Sequence, residues 1–157
     1  MTEPLVGVRR VIHGGQLRRN AEVVAAAVGG AERVIAVVKA DAYGHGLRIA
    51  VPHYRAAGVR RFAVSTVDEA LSLAPIVDGD CETIVIGWWS AADLDRAEGA
   101  DQIVLSISTR RQVQLLVEAP PRRCVIEVDI GMHRTGLSAE VTRADVVRLR
   151  RAGHRIV

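Results

Sequence analysis

A lysine, a tyrosine and an arginine carry the chemistry that this sequence offers. Lys39 ends the apolar run VIAVV at positions 34–38. A short, continuous run rich in β-branched residues is the pattern of a strand buried on both faces, as in a parallel sheet. An ammonium in the middle of such a strand is costly, but the C-terminal end of a strand in an α/β sheet faces the loops where ligands bind. A lysine held there in an apolar rim is a candidate amine nucleophile toward a carbonyl; the alternative is a surface lysine at a strand terminus. The segment ADAYGHG that follows is a low-bulk turn. Its Gly44 and Gly46 permit positive φ just ahead of a helix expected from 47 to 58, whose first amide groups favour an anion such as phosphate. Tyr43, four residues past the lysine, adds a hydroxyl for the same anion.

An amine beside a phosphate site is the minimum that pyridoxal phosphate requires. Other aldehydes and phosphate sugars fit the same arrangement. Arg134 lies beyond a second β-rich run, RCVIEVDIG, that ends in a glycine turn. Its guanidinium is always charged, and the planar fork suits a carboxylate; the alternative is a solvated surface arginine.

Two stretches carry a family resemblance. AVVKADAYGHG (36–46) closely resembles the cofactor motif of alanine racemases, and EVDIGMHRTGL (127–137) resembles the same family's strand end followed by Gly-Met-x-Arg-x-Gly. The resemblance implies that Lys39 carries pyridoxal 5′-phosphate as a Schiff base and acts as one of two acid/base groups. It implies that Tyr43 binds the cofactor phosphate and that Arg134 contacts the cofactor's phenolic oxygen and the substrate carboxylate. Many members have a lysine, sometimes carbamylated, where this chain has Glu127, and others an uncharged residue; a glutamate there is expected to hold Arg134 by charge. The expected activity is interconversion of L- and D-alanine, with another small amino acid as a possible substrate. The alternative is a non-catalytic or degenerate fragment that at most binds the cofactor.

These residues need elements to position them. Strands are expected at 33–38, 61–65, 82–87, 102–107 and in RRCVIEVDI, with HRIV (154–157) opening a sixth. Helices alternate with them: GGQLRRNAEVVAAAV ahead of the first strand, 47–57 kinked or shortened by Pro52, TVDEALSLAPIV capped by Thr66, about 91–98, TRRQVQLLVEA capped by Ser108, and 140–152 closed by Gly153. Alternation with short loops implies a parallel sheet with right-handed crossovers, in either a barrel or a doubly wound arrangement. With the resemblance, the fold class is α/β, a partial (β/α)₈ TIM-type barrel of about its first five βα units. Asn20 stands where the family has an asparagine, whereas His13-Gly14-Gly15-Gln16 departs from the family's Asp-Leu-Asp-Ala. Paired Trp88 and Trp89 after the third strand are read as packing under a loop rather than as a pocket lining.

Composition narrows the class. With 157 residues, 49% hydrophobic and 25% charged, the chain is long enough for one globular domain. The net charge of +3 is spread as arginine pairs, and 3% aromatic content is too little for a stacking surface, so no nucleic-acid partner is expected. No G-x-G-x-x-G follows the first strand. Cys81 and Cys124 lack metal-ligand spacing, Cys124 reads as a buried small residue, and no histidines pair at i, i+4, so no metal site is expected. Residues 1–15 lack a signal-peptide core and no run reaches a membrane span, which makes the cytoplasm the default. The resemblance extends from 16 to 157. It implies a homodimeric family whose later barrel strands, C-terminal β domain and second acid/base tyrosine lie outside these residues. An open sheet is then expected to aggregate or to assemble with another chain.

Overall fold

The computed structural model describes residues 10–77 and 79–157. Residues 1–9, which include most of the stretch read for a signal peptide, lie outside the described residues. Helix α1 (Gly14–Val28) leads into a 3₁₀ turn, Ala31–Arg33, and strand β1 (Ile35–Val37). Five further strands follow: β2 (Arg61–Val64), β3 (Glu82–Val85), β4 (Ile103–Ile107), β5 (Arg123–Ile126) and β6 (Arg155–Ile156). Between them run α2 (Leu47–Ala56), α3 (Val67–Leu73), α4 (Ala91–Arg96), α5 (Arg110–Val117) and α6 (Ala139–Arg151).

All six strands pair in parallel, in the order β1-β2-β3-β4-β5-β6. That order decides between the two architectures. A doubly wound sheet reverses direction at a switch point, with a first strand in the interior; a barrel adds each strand beside the last. The protein is therefore a section of a (β/α) barrel, with five complete strand–helix units and a sixth strand.

Burial peaks at the centre of this sheet. Every residue of β4 is buried, and Ile103, Leu105 and Ile107 are each worth about 1.5–3 kcal/mol there. The first strand behaves otherwise. Ile35 is 41% and Val37 39% exposed, so the two-sided burial expected at β1 is found at β4 instead. An apolar run reports the strand, but burial depends on neighbours, and β1 has one only on its β2 side. Val38, just past the strand, is buried, and its N–H donates to Ala63 O at 2.8 Å.

The helices obey local rules with two differences. Thr66 caps α3 as expected, its Oγ1 accepting the Glu69 N–H. Gly153, with φ +88°, follows the C-cap of α6. The cap of α5 is Thr109, not Ser108: the Thr109 side chain accepts the Gln112 N–H, while Gln112 returns its carbonyl oxygen to the Thr109 N–H at 3.1 Å. Helix α2 runs ten residues through Pro52. The carbonyl that Pro52 leaves without a helical donor belongs to Arg48, at an exposed position. Cys124 is fully buried, and burial pushes its thiol up to about 11. Among the described residues no helix is long and apolar enough to cross a membrane.

Candidate active site

Strands in a parallel sheet all end on the same side, so the segments after β1, β2, β3 and β5 form one rim. Lys39 lies two residues beyond β1 and is half-buried. The chain then does something the residue types do not announce. Ala40, Asp41, Ala42 and Tyr43 all have φ between 50° and 56°, so the turn is a left-handed helix. This conformation costs roughly 1–2 kcal/mol for each non-glycine residue. It has the α-helical period in mirror image, so positions i and i+4 still share a face. Lys39 Nζ accordingly sits 5.9 Å from the centre of the Tyr43 ring, within range for a cation–π contact. Tyr43 itself is 60% exposed.

Hydrogen bonds hold the turn. The Ala42 N–H donates to Val38 O and the Gly44 N–H to Ala40 O, both at 2.9 Å. Asp41 accepts twice, from the Gly46 N–H on its carbonyl at 2.8 Å and from the Leu47 N–H on its carboxylate at 2.7 Å. The amide groups expected to meet a phosphate ahead of α2 are thus largely consumed by the turn: His45 N–H is bonded to Ala42 O as well. Gly44 and Gly46 do take positive φ, 78° and 91°. The Ala40 N–H has its acceptor elsewhere, in the Glu69 carboxylate of α3 at 2.6 Å.

Around the rim a polar network joins three more strand ends. The buried Trp89 donates its indole N–H to Ser106 O at 2.5 Å. Ser106 donates its hydroxyl to Glu127 at 2.8 Å, and Thr135 donates to the other Glu127 oxygen at 2.9 Å. Packing is the role expected of both tryptophans, and Trp89 takes it, but Trp88 is 69% exposed on the rim. At Gly87 the strands' continuations come so close that a Cβ would fall 2.1 Å from Ser65 O.

The loop that carries Arg134 closes on itself. The Leu137 N–H donates to Glu127 O and the Asp129 N–H to Leu137 O, so residues between them form an excursion from the strand end. Asp129 accepts the Gly131 and His133 N–H groups at 2.9 and 3.0 Å, which pulls its carboxyl below the usual aspartate range, with His133 the larger cause. Arg134 is exposed on this excursion and, among the described residues, pairs with no carboxylate. The expected Glu127–Arg134 pair is therefore not formed. Both Glu127 oxygens are satisfied by hydroxyls, and the loop carries Arg134 outward.

The rim brings Lys39 and Tyr43 into contact and puts Arg134 on the same side of the sheet, four strands along. The residues that sequence reasoning passed over are Glu69, Ser106 and Gly87. Only Glu69 had a local signal, a Thr-x-x-Glu capping pattern, and that pattern indicates a helix start rather than a bond to Ala40. A groove of about 660 Å³ lies at the opposite end of the strands, lined by charged residues including Arg60, Asp80 and Arg123.

Comparison with known proteins bears on the family and the fold. The alanine racemase N-terminal domain profile matches residues 12–157. The alanine racemase of Corynebacterium efficiens is 34% identical over 130 residues, covering 80% of this chain and 35% of the relative. That of Rhizobium meliloti is 38% identical over 115 residues, covering 71% and 30%. Among solved structures, alanine racemase from Streptomyces coelicolor A3(2) superposes with a TM-score of 0.83 at 27% identity, covering 92% of this chain and 40% of that one. A histidine racemase from Leuconostoc mesenteroides superposes with a TM-score of 0.78 at 25% identity, covering 88% and 38%. The chain spans 30% to 40% of the length of these four relatives. By sequence and by fold, this chain belongs to the alanine racemase family and corresponds to its N-terminal domain.

Proposed function

We propose that this chain supplies the lysine-bearing part of a pyridoxal-phosphate-dependent amino-acid racemase, with alanine as substrate. The observation that carries the reading is the left-handed turn, which sets an amine and a phenol on one face at the mouth of the barrel section. The residues suit the cofactor chemically. Lys39 is an amine at a half-buried rim position with no carboxylate partner among the described residues, free to condense with an aldehyde. Tyr43 has an exposed hydroxyl to give to a phosphate oxygen.

Bound pyridoxal phosphate supplies an electron sink that stabilises negative charge at the substrate α-carbon. The chain's own residues do the rest. Lys39 anchors the cofactor and moves a proton at one face of the α-carbon. Tyr43 fixes the phosphate end, and Arg134 binds the substrate carboxylate. Inversion needs a second proton-transfer group on the opposite face, and the family resemblance assigns that group to a tyrosine beyond these residues, across a dimer interface.

The first test is a visible absorption spectrum of the chain mixed with pyridoxal phosphate, followed by borohydride reduction and peptide mapping. A borohydride-sensitive band with label on Lys39, lost in Lys39→Ala, is the expected result. Label scattered over other amines, or an equal band in Lys39→Ala, would sink the reading. A second reading, a cofactor-binding chain without activity, is favoured by one observation: Glu127 is engaged by Ser106 and Thr135, and Arg134 stands exposed without a carboxylate among the described residues to orient it. It is separated by a racemase assay on a chain that takes the label.

A further inference from the structure

Four consecutive left-handed residues need more than their own hydrogen bonds to persist, because right-handed geometry offers the same i to i−4 pattern without the steric cost. The first amide of the run decides how the chain enters it. Ala40 N–H donates not within the turn but to Glu69 Oε1 at 2.6 Å, across 29 residues of sequence. The other carboxylate oxygen, Oε2, accepts the Ser65 N–H at 2.7 Å. Ser65 directly follows β2, and Ala40 comes just after the last ladder bond between β1 and β2, Val38 N–H to Ala63 O. One carboxylate therefore continues the pairing of these two strands beyond their ends.

The local signature would place this carboxylate elsewhere. Glu69 is the third residue of α3 behind the Thr66 cap, and in a capping box it would return to the Thr66 N–H. Thr66 does its half, accepting the Glu69 N–H at 3.2 Å. The side chain instead reaches past Thr66 to Ser65 and Ala40. Its neighbour Asp68 is engaged on the outside of the helix with Arg96, so Glu69 is the acidic group of this helix turn that meets the rim.

We infer that Glu69 is a positioning residue: its carboxylate clamps the Ala40 and Ser65 amides, holds the turn in its left-handed form and thereby sets where Lys39 and Tyr43 stand. The clamp itself rests on geometry alone. Its consequence for cofactor binding rests on the proposed pyridoxal phosphate reading. A carboxylate is needed because both partners are N–H donors and both side-chain oxygens must accept; an amide in its place satisfies one N–H and turns a donor toward the other.

The test uses the whole chain, ¹⁵N-labelled, as parent, Glu69→Gln and Thr66→Ala. Backbone amide exchange and melting temperature are read first, then the visible band and Lys39 label with pyridoxal phosphate. In Glu69→Gln the Ala40 or Ser65 amide is expected to exchange about 10- to 100-fold faster, the range for losing a hydrogen bond to a charged group. The β4 amides keep their rates, and the yield of Lys39 label falls in step. In Thr66→Ala the α3 amides open and the Ala40 amide does not, which separates the clamp from general weakening of the helix. Parent-like Ala40 and Ser65 rates in Glu69→Gln would overturn the clamp. Opened amides with unchanged Lys39 labelling would overturn the positioning role. A parent chain that never labels Lys39 would instead sink the cofactor reading, with the amide rates alone then deciding the clamp.

Discussion

Asp129 shows how a single side chain can organise a functional loop. Its Oδ1 accepts two backbone N–H groups, and its Oδ2 lies 2.9 Å from His133 Nδ1. These contacts favour the ionised form, so the folded-state pKa lies below the ordinary aspartate value. A depressed carboxylate contributes stability that is present above the unfolded pKa, about 3.9, and lost as pH falls through the lower folded value. The Gly131 and His133 amide resonances are therefore expected to move together on acidification, with a midpoint below about 3.9, and to lose this step in Asp129→Asn. A midpoint at or above the unperturbed value would contradict the assignment. Because this loop carries Arg134, the same titration reports when the arginine's mounting loosens. His133, at φ +53° within the loop, is the residue next to Arg134.

At the scale of elements, capping residues decide where helices begin and so where the rim loops end. Ser108 and Thr109 are both good N-caps by type. The choice between them is made three residues on: Gln112 is buried, and its side-chain oxygen meets the N–H groups of both Ser108 and Thr109. The S/T-x-x-E/Q pattern selects Thr109. Thr109→Ala is expected to cost about 1 kcal/mol in urea denaturation, and Ser108→Ala less, since the Ser108 hydroxyl accepts no helix N–H. Equal losses would mean that the cap is shared. In α3 the same pattern is bent to another use, with the glutamate diverted to β1's continuation.

For the molecule as a whole, the open sides of the sheet dominate. β1 and β6 are both edge strands, and Ile35 and Val37 expose about two-fifths of their surface, with Val23 and Val24 of α1 more exposed still. Unpaired strand edges with apolar side chains recruit other chains. The chain alone is expected to self-associate with rising concentration, and Ile35→Lys to shift sedimentation toward the monomer. A concentration-independent monomer in the parent would refute the edge as the driver. Helix α1 keeps a small-residue inner face, Ala21 and Ala25, and sets Gly14 so close to His53 of α2 that a Cβ would overlap the ring. The lead-in that departs from the family pattern still docks the helix tightly.

The sequence by itself determined the order of strands and helices, the parallel sheet and the place of Lys39 and Arg134 beyond strand ends. Those properties follow from local periodicity and from motifs read in order along the chain. It also held the two motifs whose family the comparisons bear out. Only the tertiary structure decided the left-handed turn at Ala40–Tyr43, the separation of buried Trp89 from exposed Trp88, the edge character of β1 and the partners of Glu127. In each case the deciding contact comes from far along the chain: Glu69 for the turn, Ser106 for Trp89 and for Glu127, and the strand neighbours for β1. Local propensity favours a right-handed turn for alanine and tyrosine. Hydrogen-bond acceptors from distant segments overrule it, and a sequence window cannot contain them.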